Sequence, residues 1–269
     1  MPELPEVETV LRTLELRIKD QCINDIDILW DKIIVGDIKE FKDKLIGQHF
    51  RVFKRRGKYL LFELDDYVLV SHLRMEGKYY LQDFNDEIVK HEHVIFTLDN
   101  LSLRYHDTRK FGRMEIIEKQ YDYNNFKNLG VEPFTKEFNK EYIKEYINNN
   151  NKPIKQVLLD QRFIAGIGNI YADEILFEMK VNPNKKTSTL TNKNINDLIL
   201  YTNSILLEAI KKGGTTIRSY TSSLGVNGLF QLELKVHTKE NKPCIRCSNL
   251  IKKIKVNQRG TYYCDKCQK

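Results

Sequence analysis

Pro2, Glu3 and Glu6 stand within the first six residues, Met1-Pro2-Glu3-Leu4-Pro5-Glu6. Removal of Met1, which the small residue after it favours, leaves a proline whose nitrogen is a free secondary amine. An α-amine titrates near ~8 against ~10.4 for lysine, so roughly one in ten is already neutral at pH 7. A neutral amine attacks an electrophilic carbon to give a Schiff base. From a secondary amine the product is a charged iminium, a strong electron sink, and Glu3 is close enough to move a proton for that step. The plain alternative is a helix N-terminus, with Pro5 at the first turn and Glu6 and Glu8 at the positive end of the dipole. Both readings hold together, because Val7, Val10, Leu11, Leu14 and Ile18 follow at helical spacing.

A second set of reactive side chains closes the chain. Cys244, Cys247, Cys264 and Cys267 form C-x2-C-x16-C-x2-C, and Cys22 stands apart. Two C-x2-C knuckles supply four thiolates for a tetrahedral Zn²⁺. The alternative, disulfides, is disfavoured in a reducing compartment. Four protein ligands leave no open position, so one structural zinc is expected and no catalytic one. A module of about thirty residues has too little core to fold without it. Cys22 reads as a small buried apolar residue.

Other residues invite weaker readings. Arg55-Arg56-Gly57-Lys58-Tyr59 is a basic turn entering an apolar strand, either solvated or on phosphate. Met75 ends a strand, where a methionine is usually core. Asp107-Thr108-Arg109-Lys110-Phe111-Gly112-Arg113 is a charged loop with one aromatic. Met and Phe side chains beside an Arg are of the type that can wedge between stacked bases. His91 and His93 share a face if extended, but no third metal ligand is indicated. The glycines of Gln161–Glu174 permit a tight turn, and the amides opening the next helix can hold phosphate. No strand precedes them, so a dinucleotide site is not indicated.

These residues need positioning elements. Residues 5–19 predict a helix. Short apolar runs at 50–54, 59–64, 67–73, 78–82, 93–99 and 101–105 predict antiparallel strands of a sandwich or barrel. Leu129–Pro133 reads as a linker. Helical periodicity follows at 137–147, 153–162, 169–179 and 191–212, stopped by Gly213-Gly214. Residues 215–230 have few apolar anchors and predict a mobile loop. Val256–Tyr262 reads as a hairpin turn with Arg259 at its tip. The fold class is α+β multidomain: residues 1–132 an N-terminal helix with an antiparallel β-sandwich, 133–235 a helical domain with the loop, and 236–269 a zinc-ribbon-like hairpin finger.

Charge points to a polyanion. Residues 231–269 carry ten Lys/Arg against three Asp/Glu, which equals the net charge of +7 for all 269 residues. Basic charge concentrated on a small module favours nucleic acid. No apolar run reaches membrane length and the acidic start is unlike a signal peptide, so a cytoplasmic protein is expected.

Pro2 to Thr9, PELPEVET, resembles the N-terminal signature of bacterial formamidopyrimidine-DNA glycosylases (Fpg), and Gln161–Glu174 resembles their helix–two-turn–helix signature. The resemblance runs in family order from the basic turn to the zinc module. It implies a base-excision-repair glycosylase/AP lyase for oxidised purines such as 8-oxoguanine. DNA would lie between the β domain and the helical and zinc domains. The catalytic residues it implies are Pro2, Glu3, Lys58 and Arg259, the last two on phosphates at the lesion. It implies Met75, Arg109 and Phe111 as void fillers, His91, Lys155 and Asn169 as DNA contacts, and the four cysteines as zinc ligands. Damaged double-stranded DNA is then the partner, with a monomer and no obligate protein partner expected, in the bacterial cytoplasm. Four positions depart from the family: Thr108 where proline is commoner, Asn150 and Asn151 where basic residues stand, and His237 where tyrosine is common. The rival readings are the endonuclease VIII branch, with oxidised pyrimidines as substrates, and a non-enzymatic zinc DNA-binding protein.

Overall fold

In the computed structural model residues 1–120, 123–215 and 228–269 are described. The chain divides into two units: Met1–Tyr123 with the described residues of Gly213–Leu229, and Asn124–Lys212 with Phe230–Lys269.

The first unit begins with α1 (Leu4–Ile18), whose buried face is Val7, Val10, Leu11, Leu14 and Ile18. Glu3 and Glu6 close its N-terminus as a capping box, in which the Glu3 N–H donates to Glu6 Oε2 at 2.8 Å. One sheet takes β1 (Asp25–Ile28), β6 (Glu92–Thr97), β7 (Ser102–His106) and β5 (Lys78–Gln82), in that order. The other takes β2 (Val52–Arg56), β3 (Tyr59–Glu63), β4 (Tyr67–His72) and β8 (Arg113–Glu118). All pairs are antiparallel. Phe53, Phe62 and Leu69 of one sheet share a core with Val94, Phe96 and Leu103 of the other and with α1. Burying each such side chain contributes about 1.5–3 kcal/mol.

Two strands and a helix go beyond the sequence expectation. β1 is only four residues, two of them Asp, and β8 intersperses charge with Met114, Ile116 and Ile117, so neither stands out as an apolar run. α2 (Ile38–Leu45) opens on Asp37, whose side chain accepts the Glu40 N–H.

Register brings two connections together. His72 at the end of β4 pairs with Arg113 at the start of β8, while Lys78 at the start of β5 pairs with His106 at the end of β7. Residues 73–77 and 107–112 therefore both cross from one sheet to the other, side by side.

The second unit holds α3 (Lys140–Asn148), α4 (Ile154–Leu158), α5 (Asn169–Glu178), α6 (Asn192–Lys211) and the hairpin β9 (Lys252–Val256) and β10 (Arg259–Tyr263). α4 is shorter than its periodicity suggests. Asp160 accepts the backbone N–H of Arg162, a local bond that competes with helix, and the Gln161 side chain clasps the turn beyond. Gln161 Nε2 donates to the Ile167 carbonyl at 2.7 Å and its Oε1 accepts from Gly166 N at 2.9 Å. Leu129–Pro133 is no free linker: Gly130 N donates to the Gln161 carbonyl, and a Cβ on Gly130 would lie 2.3 Å from the carbonyls of Arg162 and Phe163. Residues 216–227, most of the predicted mobile loop with Thr216, Ile217 and Arg218, lie outside the described residues. Phe230–Glu233 is a 3-10 turn. Among the described residues no helix is long and apolar enough to cross a membrane.

Candidate active site and nucleic-acid interface

In the first unit the chain is buried directly after the exposed Met1. Pro2 and Glu3 are buried, Glu3 heading α1. Lys58 is buried too, in the two-residue turn between β2 and β3, where Gly57 takes φ +60°. The turn is tied to α1: Arg55 Nε lies 2.9 Å from Glu8 Oε2, and Arg55 also donates to the Gly57 carbonyl. The amine of Met1 feels Glu3, Glu6, Lys58 and Glu76. Burial, the largest influence, and Lys58 push it below the ordinary α-amine value against the pull of the three carboxylates. Thus Lys58, distant in sequence, shares one region with Pro2 and Glu3.

Met75 is half-buried rather than core, on the 73–77 crossing, with Arg74 at φ +53° before it. Arg109 and Phe111 lie on the adjacent crossing. Phe111 is 48% exposed and the Arg109 guanidinium sits 4.9 Å from its ring centroid. The structure so brings Met75, Arg109 and Phe111 to two neighbouring loops. His91 is not on the strand with His93. Its φ is +75° ahead of β6, and the register slips at Glu92–Val94. His93 is buried with Nε2 on the Asp107 carbonyl at 2.8 Å, so the two histidines do not act as a ligand pair.

In the second unit Lys155 is fully buried, not displayed. Its Nζ is 2.5 Å from Asp173 Oδ1 and 3.0 Å from the Asn169 carbonyl. The ammonium that the family resemblance implies as a DNA contact is here enclosed by a carboxylate. Asp173 Oδ2 accepts from Tyr262 N at 3.3 Å and lies 2.7 Å from His237 Nδ1. Asn169, at the start of α5, donates to the Gly260 carbonyl at 2.8 Å. α5 and the hairpin are therefore joined through Asn169, Asp173 and His237. Arg259 is the exposed first residue of β10, while the tip is Asn257-Gln258, both at positive φ as the two-residue turn requires. Asn150 caps α3 through Tyr146 and Asn151 meets Ser188, so neither polar replacement is idle.

The sulfurs of Cys244, Cys247, Cys264 and Cys267 lie within 4.8 Å of one another, with Cys244–Cys267 at 3.9 Å and Cys247–Cys264 at 3.5 Å. A tetrahedron with Zn–S of 2.3 Å has edges of about 3.8 Å, whereas a disulfide is about 2.05 Å. The donor set fits one zinc ion. Around it Phe177, Val236 and Ile251 form the module's small core.

Sequence reasoning missed Asp107, Asp173 and His237 as organising groups. Asp107 carried a signal: an Asp two residues before Arg109 commonly accepts a local backbone N–H.

Residues 1–114 match the model for the formamidopyrimidine-DNA glycosylase N-terminal domain, residues 129–221 that for its H2TH domain, and residues 241–269 a zinc finger found in FPG and IleRS. The sandwich, glycine turn and cysteine finger thus define a helix–two-turn–helix DNA glycosylase. Formamidopyrimidine-DNA glycosylases of Listeria innocua and Bacillus subtilis are 44% and 46% identical, each over all of this chain and at least 99% of their own. A Lactococcus lactis FPG variant in complex with Fapy-dG-containing DNA superposes at TM-score 0.95, 42% identical over 99% of both chains. The wild-type enzyme of that organism with oxidised-pyrimidine-containing DNA matches at 0.93, with the same identity and coverage. The chain belongs to the formamidopyrimidine-DNA glycosylase family, base-excision-repair enzymes for oxidised purines with AP lyase activity.

Proposed function

We propose that removal of Met1 gives a Pro2 amine that excises the oxidised purine and then cuts the strand. The observation that carries this is the burial of Pro2 and Glu3 beside Lys58, in surroundings where burial and Lys58 lower the proton affinity of the chain-start amine of Met1. Pro2 attacks the sugar C1′, Glu3 delivers the proton that opens the sugar and the base leaves, giving an iminium between Pro2 and C1′. The iminium accepts the electron pair released when the C2′ proton is lost, and the 3′ phosphate departs. A second elimination expels the 5′ phosphate, leaving a one-nucleoside gap with phosphates at both ends. Lys58 and Arg259 bind these phosphates, with Arg259 assisting the second elimination.

Damaged double-stranded DNA is the substrate and partner. Met75, Arg109 and Phe111 fill the void left by the everted base, and His91 and Asn169 contact the backbone. Lys155 supports Asn169 from beneath. Cys244, Cys247, Cys264 and Cys267 hold one zinc, which supplies structure to the hairpin bearing Arg259. A monomer working in the bacterial cytoplasm completes the reading.

The test is borohydride trapping on a duplex with 8-oxoguanine opposite cytosine, beside a dihydrouracil duplex, with peptide mapping of the adduct. An adduct on Pro2, strongest with 8-oxoguanine, is expected. Trapping mainly on dihydrouracil would favour pyrimidine lesions, the class bound by the Lactococcus lactis enzyme in one complex. Pro2→Gly is expected to abolish excision and nicking. Full activity of that variant would end the nucleophile assignment.

A further inference from the structure

We infer that Asp107, together with Tyr105, is a positioning residue that presets the void-filling loops before DNA arrives. The inference rests on the reading of Met75, Arg109 and Phe111 as void fillers.

Asp107 is fully buried at the end of β7. Three backbone N–H groups hold its carboxylate: Arg109 N on Oδ1 at 2.9 Å, and Phe111 N and Gly112 N on Oδ2 at 2.9 and 2.8 Å. Its own backbone is fixed as well. Its N–H donates to the His91 carbonyl, and its carbonyl receives Lys110 N and His93 Nε2. One side chain thus sets the backbone of both Arg109 and Phe111, in a loop where Lys110 adopts φ +58°. Carboxylate bonds to N–H groups are the stronger, charge-assisted kind.

Tyr105 couples this loop to its neighbour. Its ring is buried, and its hydroxyl oxygen lies where a Cβ on Gly112 or Gly77 would fall, at 1.8 and 2.1 Å. Gly112 follows Phe111 and Gly77 lies two residues after Met75. The two glycines close on one phenol, which fixes the spacing of the wedges. Neither glycine has a positive φ, so the requirement for glycine there is spatial.

A preset wedge matters because inserting apolar side chains into a base step already costs unstacking energy. A loop that also had to be ordered on binding would add to that cost. The benefit should appear where a base must be everted from its pair, and vanish where no void needs filling. The molecule supplies its own reporter. Trp30, the single tryptophan, lies 5.4 Å from Lys110 Nζ and 6.0 Å from the Arg113 guanidinium, with the tilted His93 ring at 5.5 Å.

The experiment compares Asp107→Asn, Gly112→Ala and Phe111→Ala on three duplexes: 8-oxoguanine opposite cytosine, 8-oxoguanine opposite a missing base, and a preformed abasic site. Asp107→Asn turns an amide NH₂ toward N–H donors. It is expected to lower kcat/KM on the first duplex at least tenfold, mainly through KM, and to change abasic nicking less than threefold. The missing-base duplex should recover most of the loss. Trp30 emission of the free variant should shift, since Lys110 moves off the ring. Gly112→Ala should behave alike, and serves if Asp107→Asn fails to fold by circular dichroism. Equal losses on all three duplexes would mean a merely structural role and overturn the inference, as would unaltered kinetics while Phe111→Ala is impaired. An unimpaired Phe111→Ala would instead remove the void-filling reading beneath it.

Discussion

Glu6 Oε1 accepts both the backbone N–H and the hydroxyl of Thr215, at 2.8 and 3.0 Å, across 209 positions of sequence. Its other oxygen accepts the N–H of Glu3. One buried carboxylate therefore joins the residue next to Pro2 to the segment following α6. Gly214 makes the approach possible, for a Cβ there would lie 2.7 Å from Glu6 Oε1.

Glu6→Gln keeps the size but puts an NH₂ against donors on at least one side. Leaving a buried donor unmatched costs about 1–3 kcal/mol. We expect a lower thermal midpoint and slower borohydride trapping on Pro2, with the zinc content unchanged. Normal trapping would show that the bridge to Thr215 is dispensable for the amine's placement.

His72 carries the clearest pH prediction. Burial above all, then Arg74 and Lys58, pushes its imidazole down to about 3, and its Nδ1 accepts the Arg74 N–H. The folded state therefore holds it neutral while the unfolded chain protonates near 6.5. The stability this neutral form supports is complete above pH 6.5 and is lost as pH falls from there toward 3. At about 1.4 kcal/mol per unit, several kcal/mol are at stake. His72→Asn, which retains a short polar group without a titrating ring, should flatten the urea midpoint between pH 6.5 and 4. An unchanged slope would place the acid sensitivity elsewhere.

Zinc removal separates fold from chemistry. Because the module's own core is limited to a few side chains around the sulfurs, chelation should unfold residues 241–269 and leave the sandwich intact. Limited proteolysis after chelation should cut within the finger, and affinity for lesion DNA should fall by more than tenfold. Cys264→Ser should reproduce both effects. A finger that stays protease-resistant without metal would contradict this.

Much of this was legible in the sequence because the signals were local. The 3.6-residue stripe of α1, the apolar strands and the cysteine spacing each declare themselves within about twenty residues. What stayed hidden depends on register. Nothing near Met75 says that its loop will cross beside residues 107–112; that follows from His72 pairing with Arg113 and Lys78 with His106. α4 read too long because Asp160 and Gln161 spend their side chains on backbone groups, which periodicity does not register. Lys155 enters as a DNA contact through the family resemblance alone, and its enclosure by Asp173, eighteen positions away, shows only in the fold.

The Lys155–Asp173 pair yields the last prediction. With both side chains fully enclosed, the pair is held by desolvated geometry rather than by solvent-screened attraction. Removing one partner leaves an uncompensated buried charge, at a cost of about 3–5 kcal/mol. Lys155→Met should thus be strongly destabilising, while Lys155→Met with Asp173→Asn should recover part of the loss. A direct phosphate contact behaves differently: its removal lowers the salt slope of DNA binding by about one. Because Lys155 Nζ is spent on Asp173 and on the Asn169 carbonyl, we expect the slope to stay unchanged and Asn169→Ala to weaken binding instead. His237→Phe should mimic a milder form of the same damage, since it removes the Nδ1 contact to Asp173 but keeps the ring against Tyr262. A drop in salt slope for Lys155→Met would mean that the ammonium leaves Asp173 for phosphate when DNA binds, and that the pair is a resting state rather than a support.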